Sequence, residues 1–212
     1  MLSPFQEKLA RLFLGLPEAA NFALAGGAAL IFWQEIKRTT QDLDFFGPLA
    51  EEVRPVVGSF LARLQDEGLQ AEIVSSSPAF ARIIVHSPEG EEVLVDVGRD
   101  YRLRPPEETA IGRVLSLEEL AADKLLALFG RAEPRDFVDV FFLARRFGLS
   151  AMMEWAKEKD AGFDPYRLAL GIGRLESLPR TEFKIDETTF REMLDFYHRL
   201  RAELIRRSVS SE

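Results

Sequence analysis

Cysteine is absent from the 212 residues, and histidine occurs only at His86 and His198. No disulfide, thiolate nucleophile or zinc–thiolate centre can form, and the lack of cysteine fits a reducing, cytoplasmic setting. Histidine-rich metal cages and most serine–histidine schemes are equally undersupplied. A metal would have to be held by oxygen, which suits Mg²⁺ or Mn²⁺. Positive charge is short too: 27 lysines and arginines against 35 acids leave a formal net charge of −8. That balance argues against a general nucleic-acid coat, which needs a basic surface. Two local clusters, Arg99, Arg102 and Arg104, and Arg199, Arg201, Arg206 and Arg207, read as solvated faces. No membrane span or signal peptide is expected, because Pro17-Glu18, Asn21 and Gly26-Gly27 interrupt the most apolar window, Leu12 to Trp33. Asn21 is the single asparagine, a compositional hint of a thermophilic source.

A chain of this length can bury a sizeable core in one domain or in two small ones. Ser3-Pro4 opens an amphipathic helix over 3–15. A buried strand at Phe22–Ala25, a helix at Ala28–Glu35 and a strand at Asp42–Phe46 follow. Glu51–Glu67 has helical periodicity, with Gly68 placed to end it. Strands are predicted at Gln70–Val74, Ala79–His86 and Glu91–Val97, with Ser87–Gly90 turning the last two into a hairpin. Arg104–Glu108, "RPPEE", breaks the pattern, and from Ser116 onward helices are expected near 117–129, 135–147, 150–159, 165–173 and 187–207. This division predicts an α/β core over 1–105 and a helical region packed on it over 106–212.

Leu24–Phe46 points to an activity. Asp42 and Asp44 alternate along a strand, so they share a face, while Leu43 and Phe45 turn to the core. Carboxylates that close repel each other unless one is protonated or a cation lies between them. Upstream, Gly26-Gly27 lets backbone approach a bulky group where a helix start offers free N–H groups to an anion. A phosphate cradle followed by a metal claw suggests nucleotide chemistry. An isolated Asp-x-Asp also fits a half-buried strand with a polar face, or a glycosyltransferase holding a metal–nucleotide sugar.

Three later features add to it. Asp96 lies in "VLVDV", Val93–Val97, which is apolar on both faces like a central strand. A carboxylate embedded there needs a partner or a metal. Beside Asp42–Phe46 it would complete a three-carboxylate cluster; otherwise it would cap loop N–H groups or pair with Arg99. Lys124 falls within the apolar stripe Leu117, Leu120, Ala121, Leu125 and Leu128, where it either snorkels outward or meets an anion in a cleft. Asp136 and Asp139 lie on one side of a helix opened by Pro134. The helix dipole explains one of them, and the second would pair with Lys124, Arg131 or another cation.

In this order the segments resemble the AbiEii/AbiGii-type abortive-infection toxin family, minimal nucleotidyltransferases of the polymerase-β-like superfamily. The resemblance rests on Ala25-Gly26-Gly27, on Arg38, Thr40 and Asp42 leading into "DLDFF", and on "ADKLLALFGR" and "RDFVDVFFLAR"; it spans about residues 20–147. It implies a nucleotidyltransferase-like mixed α/β (α+β) sheet with flanking helices and a helical C-terminal half. It also implies transfer of a nucleotidyl group from an NTP to an acceptor, a tRNA end or a protein side chain, with a cognate antitoxin as partner. By similarity Asp42 and Asp44 bind Mg²⁺ or Mn²⁺, and Asp96 takes the superfamily's third-carboxylate position. Gly26, Gly27, Arg38 and Thr40 line the nucleotide, Lys124 contacts its β/γ-phosphates, and Asp136 acts as base or orienter. Two ions about 3.5–4 Å apart would clamp the attacking and leaving oxygens. The competing reading is a non-catalytic nucleotide- or protein-binding module on the same fold.

Overall fold

The computed structural model describes residues 1–36 and 39–209. The chain divides into two compact units, Met1–Leu120 and Ala121–Glu212.

In the first unit, α1 (Pro4–Leu14) starts from a reciprocal cap: Ser3 Oγ accepts from Gln6 N at 3.1 Å, and Ser3 N donates to Gln6 Oε1 at 2.9 Å. β1 (Ala23–Ala25) runs directly into α2 (Gly26–Phe32). This helix begins two residues earlier than its apolar pattern suggests, because Gly26 makes the turn at φ +62°. β2 (Asp42–Gly47), α3 (Val53–Asp66), β3 (Gln70–Ser77), β4 (Phe80–His86) and β5 (Glu92–Arg99) follow the predicted sequence of elements.

A hairpin comes next that the sequence pattern did not reveal, β6 (Glu107–Thr109) and β7 (Gly112–Val114). The break at Arg104–Glu108 is therefore not the end of the sheet. β7 adds in parallel beside β1, pairing Val114 with Leu24, and Leu115 N donates to Leu24 O at 2.9 Å. Arg113 holds it there by donating to the carbonyls of Phe22 at 3.0 Å and Ala19 at 2.8 Å. Arg102, expected on a solvated face, instead donates to Phe46 O at 2.8 Å. Glu119 is almost fully buried and accepts from the N–H groups of Leu103 and Arg104 at 3.0 and 2.8 Å, tying down the connecting loop.

The seven strands are ordered β3-β4-β5-β2-β1-β7-β6, which puts β2 in the middle. It pairs antiparallel with β1 and parallel with β5, so the sheet is mixed. One face carries Leu43, Phe45, Ile83, Val85, Val95 and Val97, all fully buried. α3 packs against this sheet, and α1 against α3. Phe13 of α1 stacks on Phe45 at 4.1 Å between centroids and meets Phe60 of α3 edge-on at 5.2 Å. Each such ring contributes roughly 1.5–3 kcal/mol by leaving water. The core thus fixes which face of β2 is turned away from it, the face of Asp42 and Asp44.

α4 (Leu117–Gly130) begins in the first unit and continues in the second, which holds α5 (Pro134–Phe147), α6 (Leu149–Lys159), α7 (Pro165–Ile172) and α8 (Glu187–Val209). α8 lies along α7 and α5. At its centre Tyr197 is fully buried, edge-on to Phe137 at 5.1 Å, and its hydroxyl donates to Phe137 O at 2.7 Å. Burial, then the charges of Asp139 and Asp136, pushes the phenol well above its usual range, so it stays a donor. Tyr197→Phe is expected to cost about 1 kcal/mol, lowering the urea midpoint at unchanged m-value. An unmoved midpoint would deny the bond any net contribution. No described helix is long and apolar enough to cross a membrane.

Candidate active site

Strand register assembles the site. Arg82 of β4 lies opposite Asp96 of β5, Asp96 opposite Asp44 of β2, and Asp44 opposite Ala25 of β1. Residues paired in this way across a sheet share a face, and neighbouring strands lie about 4.7–4.9 Å apart. Asp42, two residues before Asp44, projects from that face as well. Both are half-buried, whereas Leu43 and Phe45 between and beyond them are fully buried.

Gly26 follows directly on Ala25, so its backbone comes against Asp44. A Cβ placed on it would sit 1.8 Å from Asp44 Oδ2, an impossible approach. Glycine is required here twice, by its positive φ and by the carboxylate it faces. Gly26→Ala is expected to destabilise the fold by at least about 1–2 kcal/mol from the left-handed backbone alone. It should also displace the Asp44 carboxylate. Thermal melting combined with a nucleotidyl-transfer assay checks this, and retention of both wild-type stability and activity would contradict it. Gly27 is buried in the first turn of α2.

Thr40 positions the approach to β2. Its Oγ1 accepts from Asp42 N at 3.3 Å, and its carbonyl accepts from Gln6 Nε2 at 2.8 Å. Arg38, predicted to line the nucleotide, lies outside the described residues.

Asp96 is buried beside Asp44, yet its carboxylate belongs to Arg82. Arg82 Nε donates to Oδ1 at 2.8 Å and Nη2 to Oδ2 at 2.7 Å, a bidentate fork. The hydrogen bond and charge of Asp96, with Asp42 and Asp44 behind it, raise the Arg82 pKa against a smaller desolvation effect. Arg99, the partner considered from sequence, is exposed. Among the described residues no three His, Cys, Asp or Glu side chains are grouped to hold a metal. Register thus places Asp96 beside Asp44, on the same face as Asp42, with its carboxylate engaged by Arg82. Asp42 and Asp44 offer hard oxygen donors only, and Gly26 keeps the space at Asp44 clear of a side chain. Both features fit Mg²⁺ or Mn²⁺.

In the second unit Lys124 does not snorkel. Its Nζ meets Asp139 Oδ2 at 2.9 Å with side chains 8% and 0% exposed. Asp136 is also fully buried. It accepts from Arg131 Nε and Nη2 at 2.9 and 2.8 Å, and from Glu133 N at 3.1 Å, in a reciprocal cap that starts α5. The geometry gives Asp136 a capping and clamping function and puts Asp139 opposite the lysine. A second, half-buried pair joins Lys159 to Asp123.

A mixed sheet with Asp-x-Asp on its central strand, packed beside a Gly-Gly helix start, defines a nucleotidyltransferase-type core. JHP933 from Helicobacter pylori has the same fold, with a TM-score of 0.57 and 21% identity over 99% of this chain and 97% of its own. The polyadenylate synthase of Megavirus aligns with a TM-score of 0.50 at 10% identity, over 68% of this chain and 32% of its own. MenT4, a nucleotidyltransferase toxin from Mycobacterium tuberculosis, is 17% identical over 93% of this chain and 98% of its own, with a TM-score of 0.49. Comparison with curated proteins finds no match. Residues 8–206 match the family described as nucleotidyl transferase AbiEii toxin of type IV toxin–antitoxin systems, and the chain belongs to it.

Proposed function

We propose that this chain transfers a nucleoside monophosphate from an NTP to an acceptor, a tRNA end or a protein side chain, as the toxin of a toxin–antitoxin pair. The observation that carries the reading is the closure of Gly26 on Asp44 with Asp42 beside it. It is a site that excludes a side chain where a triphosphate and its cation have to meet a sheet. Asp42 and Asp44 hold the divalent ion, whose chemistry is neutralisation of charge on the phosphoryl oxygens. Gly26 and Gly27 present backbone to the phosphates without a Cβ in the way. Thr40 keeps the entry to β2 in place, and the buried face of β2 fixes the angle at which both acids project. Nucleotidyl transfer needs little covalent help from a protein, because positioning and charge supply most of the rate. A fixed, half-buried acid pair suits that demand.

The test is incubation of the purified protein with each α-³²P-NTP, Mg²⁺ and either total tRNA or cell lysate. Label carried into RNA or protein by the wild type supports the proposal and names the acceptor. A protein that neither labels an acceptor nor binds Mg²⁺–NTP would be the non-catalytic module instead. A cognate antitoxin is the partner the family description leads us to expect.

A further inference from the structure

We propose that Phe46, Phe80 and Arg82 form the acceptor subsite, taking the unpaired terminal nucleotide of a nucleic-acid strand with its base on the rings and its phosphate on the guanidinium. This deepens the nucleotidyl-transfer reading above and rests on it. Phe80 of β4, Gly98 of β5 and Phe46 of β2 pair in one transverse row of the sheet. It is the row next to Arg82, Asp96 and Asp44, on the same face. A Cβ on Gly98 would lie 3.1 Å from Phe46 Cε1 and 3.1 Å from Phe80 Cδ2, so the glycine is what lets both rings close over β5. Gly98 is buried beneath them, while the two rings stay half-buried. The Arg82 guanidinium lies 5.8 Å from the centroid of the Phe80 ring. Its Nε and Nη2 donate to Asp96, whereas Nη1 makes no hydrogen bond among the described residues, and the side chain is 43% exposed. The donors turned away from Asp96 are left for an anion.

Sheet order decides which substrate this surface serves. Gly26, the phosphate end of the site, lies on the β1 side of Asp44, and the rings and Arg82 lie on β2, β5 and β4, away from β1. In such transfers the attacking and leaving oxygens are roughly in line. With pyrophosphate leaving toward Gly26, the acceptor approaches from the β5 side. Its hydroxyl oxygen bonds to the α-phosphorus as the bond to pyrophosphate breaks, and the hydroxyl proton passes to water. A base stacks on an aromatic face whatever its identity, and an arginine beside it adds a cation–π contact and a phosphate contact. A hydroxyl side chain on a protein would bring neither a π-face nor a phosphate to these groups. The chain carries a formal net charge of −8, so a polyanion needs a local cation where it enters.

The experiment uses the full chain with α-³²P-NTP, Mg²⁺ and total tRNA, and separately a short single-stranded RNA ending in 2-aminopurine, whose fluorescence falls on stacking. Wild type is expected to label tRNA and to quench the probe. Phe80→Leu, which keeps apolar volume but loses the ring, should raise KM for tRNA at least about 5-fold, the usual loss of one stacked base, with KM for NTP unchanged. Phe80→Tyr should restore the wild-type KM. Arg82→Gln should lower the salt slope of RNA binding by about 1, the effect of one phosphate contact. Should Phe80→Leu fail to fold, Phe46→Leu and the quenching by wild type decide the matter. Label entering protein but not tRNA, a rise in KM for NTP instead, or an unchanged KM for tRNA in a folded ring variant would each overturn the inference while leaving nucleotidyl transfer standing. A wild type that labels no acceptor would overturn both.

Discussion

Asp44→Asn should lower nucleotidyl transfer by at least about 10²–10³-fold, the usual effect of removing one electrostatic contributor from a preorganised site, with the fold undamaged. The substitution preserves shape, so Gly26 still closes on a planar group of the same size. What changes is charge. Asp42 and Asp44 are like charges on one strand face, and a cation that offsets their repulsion loses one of its two anionic donors in the variant. The melting temperature of Asp44→Asn should stay close to that of the wild type in metal-free buffer. Added Mg²⁺ with nucleotide should raise it for the wild type alone, because a ligand stabilises only the state it binds. Activity lost together with stability would instead mean that Asp44 serves the fold. Equal labelling by variant and wild type would remove the site from β2 altogether.

How far sequence could reach is visible in the same strand. Alternation of Asp42, Leu43, Asp44 and Phe45 is local, so the shared face of the acids followed from periodicity, and burial of Leu43 and Phe45 agrees. The Gly26 turn was legible as a glycine pair, but not its contact with Asp44, which depends on the pairing of β1 with β2. Arg82 was missed although its partner could have been counted. The Ser87–Gly90 turn sets His86 opposite Glu92, and equal steps along both strands bring Arg82 to Asp96. The hairpin β6–β7 left no pattern because each strand has three residues and little apolar content. Its place is set by tertiary bonds, chiefly those of Arg113 and of Leu115 to β1. In the helical half the stripe around Lys124 was clear, yet periodicity cannot say whether an inward lysine escapes or finds an acid. Asp139, one of the partners that pattern left open, lies across on α5.

Asp139→Leu should be the most destabilising single change in the second unit. Lys124 would remain buried with its counter-charge removed, and breaking a buried pair from one side costs about 3–5 kcal/mol. For a chain of this size that corresponds to a melting temperature lower by roughly 10 °C, at about 2–4 °C per kcal/mol. Lys124→Met should also destabilise, because it removes the ammonium facing Asp139, whose side chain is fully buried. The double variant Lys124→Met/Asp139→Leu removes both charges and fills the space with apolar atoms, so most of the loss should be recovered. A single variant that melts with the wild type would show the pair is not coupled as its 2.9 Å separation requires. The double variant also separates the two roles open to Lys124. Since it restores the fold without the ammonium group, wild-type transfer by that protein confines Lys124 to holding α4 and α5 together. A stable double variant that no longer labels its acceptor gives the lysine a part in handling the nucleotide, one that a melting curve alone could never reveal.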